Sequence, residues 1–136
     1  MSLLVDTNVI CELMRKTPNS RMFSFIAGIA KPDLFGSVLS VGAIRFGIER
    51  LTRGPRRDRL LGIVVGDLMA VKGAQLLPVS LQVAERWAKL KAEAGRTLPV
   101  IDSLIAATAL HHGLDLATRN TRDFAGLGLR LVDPFA

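Results

Sequence analysis

The chain has 136 residues, 49% of them hydrophobic and 22% charged, a balance that lets one compact domain bury a core and excludes an intrinsically disordered segment. Eighteen Lys and Arg against twelve Asp and Glu leave a formal charge of +6, which suits a polyanionic partner such as RNA, although an Arg-rich solvated surface accounts for it equally. Cys11 is the only cysteine, so an internal disulfide is excluded, and with no base beside it in the sequence its expected role is a small buried side chain on a helix.

Leu3-Leu4-Val5 is a short apolar run that ends on Asp6-Thr7-Asn8 and leads into helix-compatible Val9 to Met14, which reads as a buried strand turning into a helix. Pro18-Asn19-Ser20 offers the next helix start, and Met22, Phe23, Phe25, Ile26 and Ile29 give that helix an apolar face. Leu34 to Leu39 reads as a second strand. Val41, Ile44, Ile48 and Leu51 then recur at helical spacing until Arg53-Gly54-Pro55, after which the basic stretch Arg56-Arg57-Asp58-Arg59 opens another helix; Arg53 to Arg59 could guide RNA, with an ordinary solvated helix start at least as good an account. Gln75 to Pro78 is a third short strand. From Leu81, the residues Val83, Ala84, Trp87, Ala88 and Leu90 define an amphipathic helix with Trp87 expected in the core and Glu85 paired with Lys89 one turn on. Gly95 to Pro99 interrupts, and Ile101 to His112 forms a helix closed by Gly113. Asp115 to Ala117 reads as a fourth strand, Thr121 to Phe124 as a single helical turn, and Leu129 to Val132 as a fifth strand before Asp133-Pro134.

Short apolar strands alternating with helices predict an α/β fold, a three-layer α/β/α sandwich with a central parallel sheet. No repeat, low-complexity tract or linker divides the chain, so residues 1–136 are expected to be a single domain. With the first acid at Asp6 and no basic stretch leading into an apolar core and cleavage site, no signal peptide is expected, and the oily stretches from Leu60 to Val71 and Val100 to Leu110 contain Asp67 and Asp102 and fall short of a membrane span. A cytoplasmic protein without membrane contact is the expectation.

In a parallel sheet, ligands bind beyond the carboxyl ends of the strands, where strand order reverses. Asp6 directly follows the first strand, although a turn or helix cap would explain it as well. Asp102 lies in a helix apolar around almost its whole circumference, where an ionised carboxylate is costly unless paired or bound to metal; the plainer reading is a first-turn acid favoured by the helix dipole. Asn120 and Asp123, one turn apart after the fourth strand, can present oxygen atoms on one side, or belong to a polar loop capped at Asn120. Three carboxylates so placed suit a hard cation, Mg2+ or Mn2+. Zinc is disfavoured, because the only histidines, His111 and His112, are adjacent and fit a helix C-terminus better than metal spacing.

Three segments carry a family resemblance: Leu4-Val5-Asp6-Thr7-Asn8-Val9-Ile10, Pro99-Val100-Ile101-Asp102-Ser103-Leu104-Ile105-Ala106-Ala107 and Thr118-Arg119-Asn120-Thr121-Arg122-Asp123-Phe124. They are similar to the acidic motifs of PIN-domain toxins of the VapC and FitB type, in order and across essentially the whole chain. The resemblance implies a Mg2+- or Mn2+-dependent endoribonuclease acting on single-stranded RNA as the toxin of a type II toxin–antitoxin system. It also implies a homodimer, and a cognate antitoxin whose basic side chain enters the acidic pocket. Asp6, Asp102 and Asp123 would be its metal-holding and catalytic acids. Asn120, Thr118 and Asn8 would orient those acids or touch substrate, with helix capping equally open to Asn8.

One position departs from the pattern. Where the family has a glutamate, Ser40-Val41-Gly42-Ala43-Ile44-Arg45 carries Ala43. Glu49, six positions on, lies about 240° around a helix at roughly 100° per residue and cannot take its place, and Glu12 stands at the same interval from Asp6. The chain is therefore expected to be an attenuated nuclease, or alternatively a catalytically inactive protein of the same fold that acts by binding antitoxin. A phosphate-accepting receiver domain would need an acid after the third strand, where Leu77-Pro78-Val79-Ser80 stands, and a late lysine, whereas no Lys follows residue 91. A nucleotide switch would need a Gly-rich phosphate loop that is missing.

Overall fold

The computed structural model describes residues 1–65 and 75–136. Five strands, β1 (Leu3–Val5), β2 (Leu34–Ser37), β3 (Leu76–Leu77), β4 (Asp115–Ala117) and β5 (Leu131–Val132), form one sheet in the order β3-β2-β1-β4-β5, with every pairing parallel. Among the described residues six α-helices connect them: α1 (Thr7–Leu13), α2 (Ser20–Ala27), α3 (Val38–Glu49), α4 (Pro55–Ile63), α5 (Leu81–Glu93) and α6 (Val100–His112). The expected Thr121 to Phe124 turn is present as a 3-10 helix.

Alternation along the strands sorts the core into layers. Leu4 and Leu116 join Ile105, Ala106 and Ala109 of α6, with Leu90 of α5 packed against them. Leu3 and Ala117 join Val9 of α1 with Met22 and Ile26 of α2. A third cluster, Ile10, Met14, Ile44, Ile48 and Val64, ties α1 to α3. The sheet is thus covered on both faces, as its nearly continuous apolar strands require.

Several boundaries differ from the sequence reading. β2 ends at Ser37, not Leu39, because the Ser37 hydroxyl accepts the Leu39 N–H at 3.0 Å and caps α3, so Val38 and Leu39 are helical. β3 is shorter than Gln75 to Pro78, and β5 shorter than Leu129 to Val132, since each keeps only the residues that meet a neighbour in register. Trp87 is half-buried instead of central: its Nε1–H donates to the Ser103 hydroxyl at 2.8 Å and Lys91 Nζ lies 5.3 Å from the ring centroid. Ala88 of the same helix is exposed, and Glu85 and Lys89 form no ion pair. Cys11 is exposed, because the buried stripe of α1 runs through Val9, Ile10 and Met14 and leaves position 11 facing outward. Gly113 takes the left-handed conformation at φ 65° that ends α6. The part of the oily Leu60 to Val71 stretch beyond residue 65 lies outside the described residues; no described helix is long and apolar enough to cross a membrane.

Candidate metal-binding cleft

β1 is the point where the chain changes direction across the sheet, with β2 and β3 to one side and β4 and β5 to the other. A crevice opens at the carboxyl ends of strands on either side of such a point. The β1–β4 register continues one step past both strands: the Asp6 N–H donates to the Ala117 carbonyl at 2.9 Å, which brings Asp6 level with Thr118.

Asp6 is the N-cap of α1, its Oδ1 accepting the Thr7 N–H at 2.8 Å. Its other oxygen accepts from the Thr118 hydroxyl at 2.8 Å. Both residues are buried, Asp6 at 4% and Thr118 at 0% exposure, so this bond acts where solvent cannot replace it. Thr118 Oγ1 also accepts from Asn8 Nδ2 at 3.3 Å and from the Asn120 N–H at 3.1 Å, and Asn8 Oδ1 accepts the Arg119 N–H at 3.3 Å. Capping and the cleft are therefore not rival roles for Asp6. Asn8 does not cap α1; it ties the segment after β1 to the segment after β4.

Asp102 sits in the first turn of α6, half-buried, and lines a cleft of about 710 Å³ together with Asp6, Asn8 and Asn120. Burial raises the Asp6 carboxyl above its usual range, against the two hydrogen bonds that lower it, and the charge of Asp123 raises it further. Burial, then Asp6, then Asp123 raise Asp102. Asp123 thus acts on both by its charge, although it is exposed on the 3-10 turn and outside the cleft wall. Arg96 steadies that turn, donating from Nη2 to the carbonyls of Asp123 and Ala125, both at 3.0 Å. Asn120 makes no side-chain cap hydrogen bond there.

Glu12 requires a correction. It is buried at 7% exposure and lines the same cleft as Asp6, although the helical angle between their positions argued against this. Asp6 is an N-cap with extended backbone, φ −72° and ψ 161°, so the rotation of 100° per residue does not reach back to it. Glu12 Oε2 accepts the Asn19 N–H at 2.9 Å, which anchors the start of α2. Glu49, by contrast, is exposed on α3 and paired with Arg45 and Arg57, whose bonds hold its carboxyl below the usual range.

Ala43 lies on α3, half-buried, in the wall of an adjoining apolar groove with Thr7, Cys11, Arg15 and Arg56, four residues that the acidic cleft shares. One turn earlier on the same side, buried Ser40 hydrogen-bonds Thr7 through their hydroxyls at 2.9 Å. Position 43 therefore stands at the seam between groove and cleft.

The donor chemistry fits a hard cation. Asp6, Asp102 and Asp123 offer only oxygen, and the nearby Cys11 thiol, exposed at its surface but partly desolvated by the walls around it, is pushed up by that desolvation and by the Asp6 charge, which disfavours thiolate ligation. Among the described residues no three His, Cys, Asp or Glu side chains close tightly enough to enclose an ion alone. A cation here would keep part of its water shell, as Mg2+ does. His111 and His112 stand at the other end of α6, about 15 Å from Asp102 at 1.5 Å per residue, and burial followed by the His111 charge lowers His112.

Asp6, Asp102, Thr118, Asn8 and Asn120 thus meet as the sequence motifs suggested, and Arg56 of the basic stretch joins them, while Arg15, Arg119, Thr7 and Ser40 went unrecognised. Only the basic stretch at Arg56 carried any local signal, since the others reach the cleft through contacts distant in sequence.

The PIN domain profile matches residues 3–128. The chain belongs to the PIN-domain family. It is 32% identical to the VapC ribonuclease Y4jK of Sinorhizobium fredii, over 98% of this chain and 97% of that protein. To the toxin FitB of Neisseria gonorrhoeae it is 29% identical over 98% of each. The solved structure of FitAB bound to a DNA fragment superposes on this PIN domain with a TM-score of 0.91 at 28% identity, covering 98% of this chain and 96% of that one.

Proposed function

We propose that this PIN-domain protein is a metal-dependent endoribonuclease that cuts single-stranded RNA, a single cytoplasmic domain over residues 1–136 serving as the toxin of a type II toxin–antitoxin pair. The observation that carries this reading is the meeting of Asp6 and Asp102 in one cleft at the carboxyl edge of the sheet, with Asp123 acting on both by charge. Asp6, Asp102 and Asp123 would hold Mg2+ or Mn2+. When bound, the ion supplies Lewis-acid activation of water and neutralises charge developing on the phosphodiester. Thr118 fixes the Asp6 carboxylate through its 2.8 Å bond, Asn8 fixes Thr118, and Asn120 stands in the wall where it can meet substrate.

Ala43 favours a second reading, in which the protein binds antitoxin without cleaving RNA. The assembly named FitAB, seated on DNA, supports a partner of this kind here. A homodimer in which an antitoxin's basic side chain enters the cleft would complement its acids. Cleavage of labelled single-stranded RNA with Mn2+, compared between this chain and Ala43→Glu, tests both readings. Weak cleavage that Ala43→Glu strengthens on the order of tenfold or more supports the nuclease, since small misplacements in such sites cost about a hundredfold. No cleavage by either protein leaves the antitoxin-binding reading.

A further inference from the structure

We propose that Arg119, flanked by Arg56 and Arg15, grips the phosphate backbone of the single strand at the rim of the acidic cleft, and that Phe135 and Glu12 set its guanidinium in place before substrate arrives. The inference rests on the cleft being the site where RNA is cut.

A cleft walled by Asp6, Glu12 and Asp102 repels a polyanion unless cations stand at its edge. Three arginines line that same cleft, Arg15 from the turn after α1, Arg56 from the first turn of α4 and Arg119 from the segment after β4. Other arginines nearby are engaged elsewhere: Arg45 and Arg57 hold Glu49, and Arg59 donates to the Met14 carbonyl at 3.1 Å. Arg56 makes no ion pair among the described residues. Arg15 lies 3.5 Å from Glu12 Oε1 and keeps 66% of its side chain exposed.

Arg119 is the best-fixed of the three. It directly follows Thr118, and its own N–H is tied to Asn8 Oδ1. Its guanidinium carbon lies 3.8 Å from the Phe135 ring centroid, and Nη2 stands 3.9 Å from Glu12 Oε1. A turn in the tail seats the ring, with the Phe135 N–H donating to Asp133 Oδ1 at 2.9 Å. Stacking occupies one face of a planar group that carries five N–H donors, and the Glu12 contact is a long one. With 53% of the side chain exposed, donors remain for a phosphate, and a guanidinium already stacked loses less freedom on meeting one.

The test is binding, not cleavage: a labelled single-stranded RNA is titrated with protein in EDTA at several salt concentrations. Arg119→Ala should weaken binding several-fold regardless of RNA sequence and lower the slope of log K against log salt by roughly 0.7, the value for one lost contact to a single strand. Arg56→Ala should do the same. Arg119→Lys should keep the slope while losing affinity, and Phe135→Leu should behave likewise, because charge survives and preset geometry does not. Arg130→Ala is the control; that residue is 78% exposed and pairs with Asp115 at the opposite edge of the sheet. If Arg119→Ala and Arg56→Ala leave the slope unchanged while the parent still cleaves RNA with Mn2+, the grip is overturned and the nuclease stands. If the parent neither binds nor cleaves RNA, both are overturned.

Discussion

Replacing Thr118 with valine isolates a single hydroxyl, since the two side chains have nearly the same shape and no cavity opens. That hydroxyl donates to Asp6 at 2.8 Å and accepts from the Asn120 N–H and Asn8 Nδ2 at 3.1 and 3.3 Å, in a residue with no solvent exposure. A hydrogen bond to a charged group is worth about 1.5–3 kcal/mol, and the two longer bonds add about 0.5 kcal/mol between them because Asn120 is exposed and can turn to water. A loss of about 2–3 kcal/mol at neutral pH follows, or roughly 6–12 °C in Tm for a chain of this size. Cation affinity should fall on the order of tenfold to a hundredfold with it, because the carboxylate loses its orienting partner.

The pH dependence tests the cause. Asp6 titrates above its ordinary 3.8 in the fold, so from 3.8 up to its folded value the native state holds a proton that the unfolded chain has released, and stability falls as pH rises through that window. The Thr118 bond opposes the shift. Without it the folded value climbs further and the loss extends to higher pH. The deficit of Thr118→Val, measured by thermal melts without metal, should therefore be largest near pH 7 and shrink to about 1 kcal/mol near pH 3, below the ordinary 3.8, where Asp6 is largely protonated in both proteins and only neutral bonds differ. Equal deficits at the two pH values would refute this account. Thr118→Ser, which keeps the hydroxyl, should retain the parent's pH profile.

Asp102→Asn should raise Tm at pH 7 without metal and leave it nearly unchanged near pH 3, below the ordinary 3.8, since it removes a carboxylate that burial, Asp6 and Asp123 all disfavour when charged; the gain should stay below about 1 kcal/mol because the half-buried site is screened. Calorimetry with Mn2+ should show the same variant losing most of its cation affinity. Arg96→Ala should cost no more than about 1 kcal/mol in a thermal melt, yet hydrogen exchange at the Asp123 amide should quicken, because the two bonds that steady its turn are gone.

The alternation of apolar runs and amphipathic segments was enough to place the five strands and six α-helices of the described residues in order, because burying a parallel sheet on both faces imposes that pattern. What it did not yield was where strands stop. β2 reads as apolar through Leu39, and only the Ser37 hydroxyl turns the chain into α3 two residues earlier. β3 and β5 keep only the residues that pair with β2 and β4 in register, a limit set by tertiary pairing that no local signal carries. Asp6 was legible from its position after β1, and Asp102 from the cost of a carboxylate in an apolar helix. Glu12 was misjudged because helical geometry was extended to a capping residue outside the helix. The arginine rim depends on side chains that converge only after folding, and Ser40 reaches the cleft by touching Thr7 on another helix.

Ala43 joins the stability of this PIN domain to its chemistry. Asp6 already raises the cost of ionising Asp102, and Asp123 that of both, and a carboxylate at position 43, beside Thr7 at the seam of groove and cleft, would bring one more negative charge toward them. In the absence of metal that charge destabilises the fold; in its presence it adds oxygen ligands for an ion that gives up its water reluctantly. The two effects have the same origin and opposite sign, so the residue cannot serve both. Alanine here favours the folded protein without its ion, and the Ala43→Glu variant should accordingly melt at a lower temperature in EDTA and gain more from added Mn2+ than the parent does. A variant that melts at the parent's temperature under both conditions would place position 43 outside the field of the acids, and its effect on cleavage would then need a different cause.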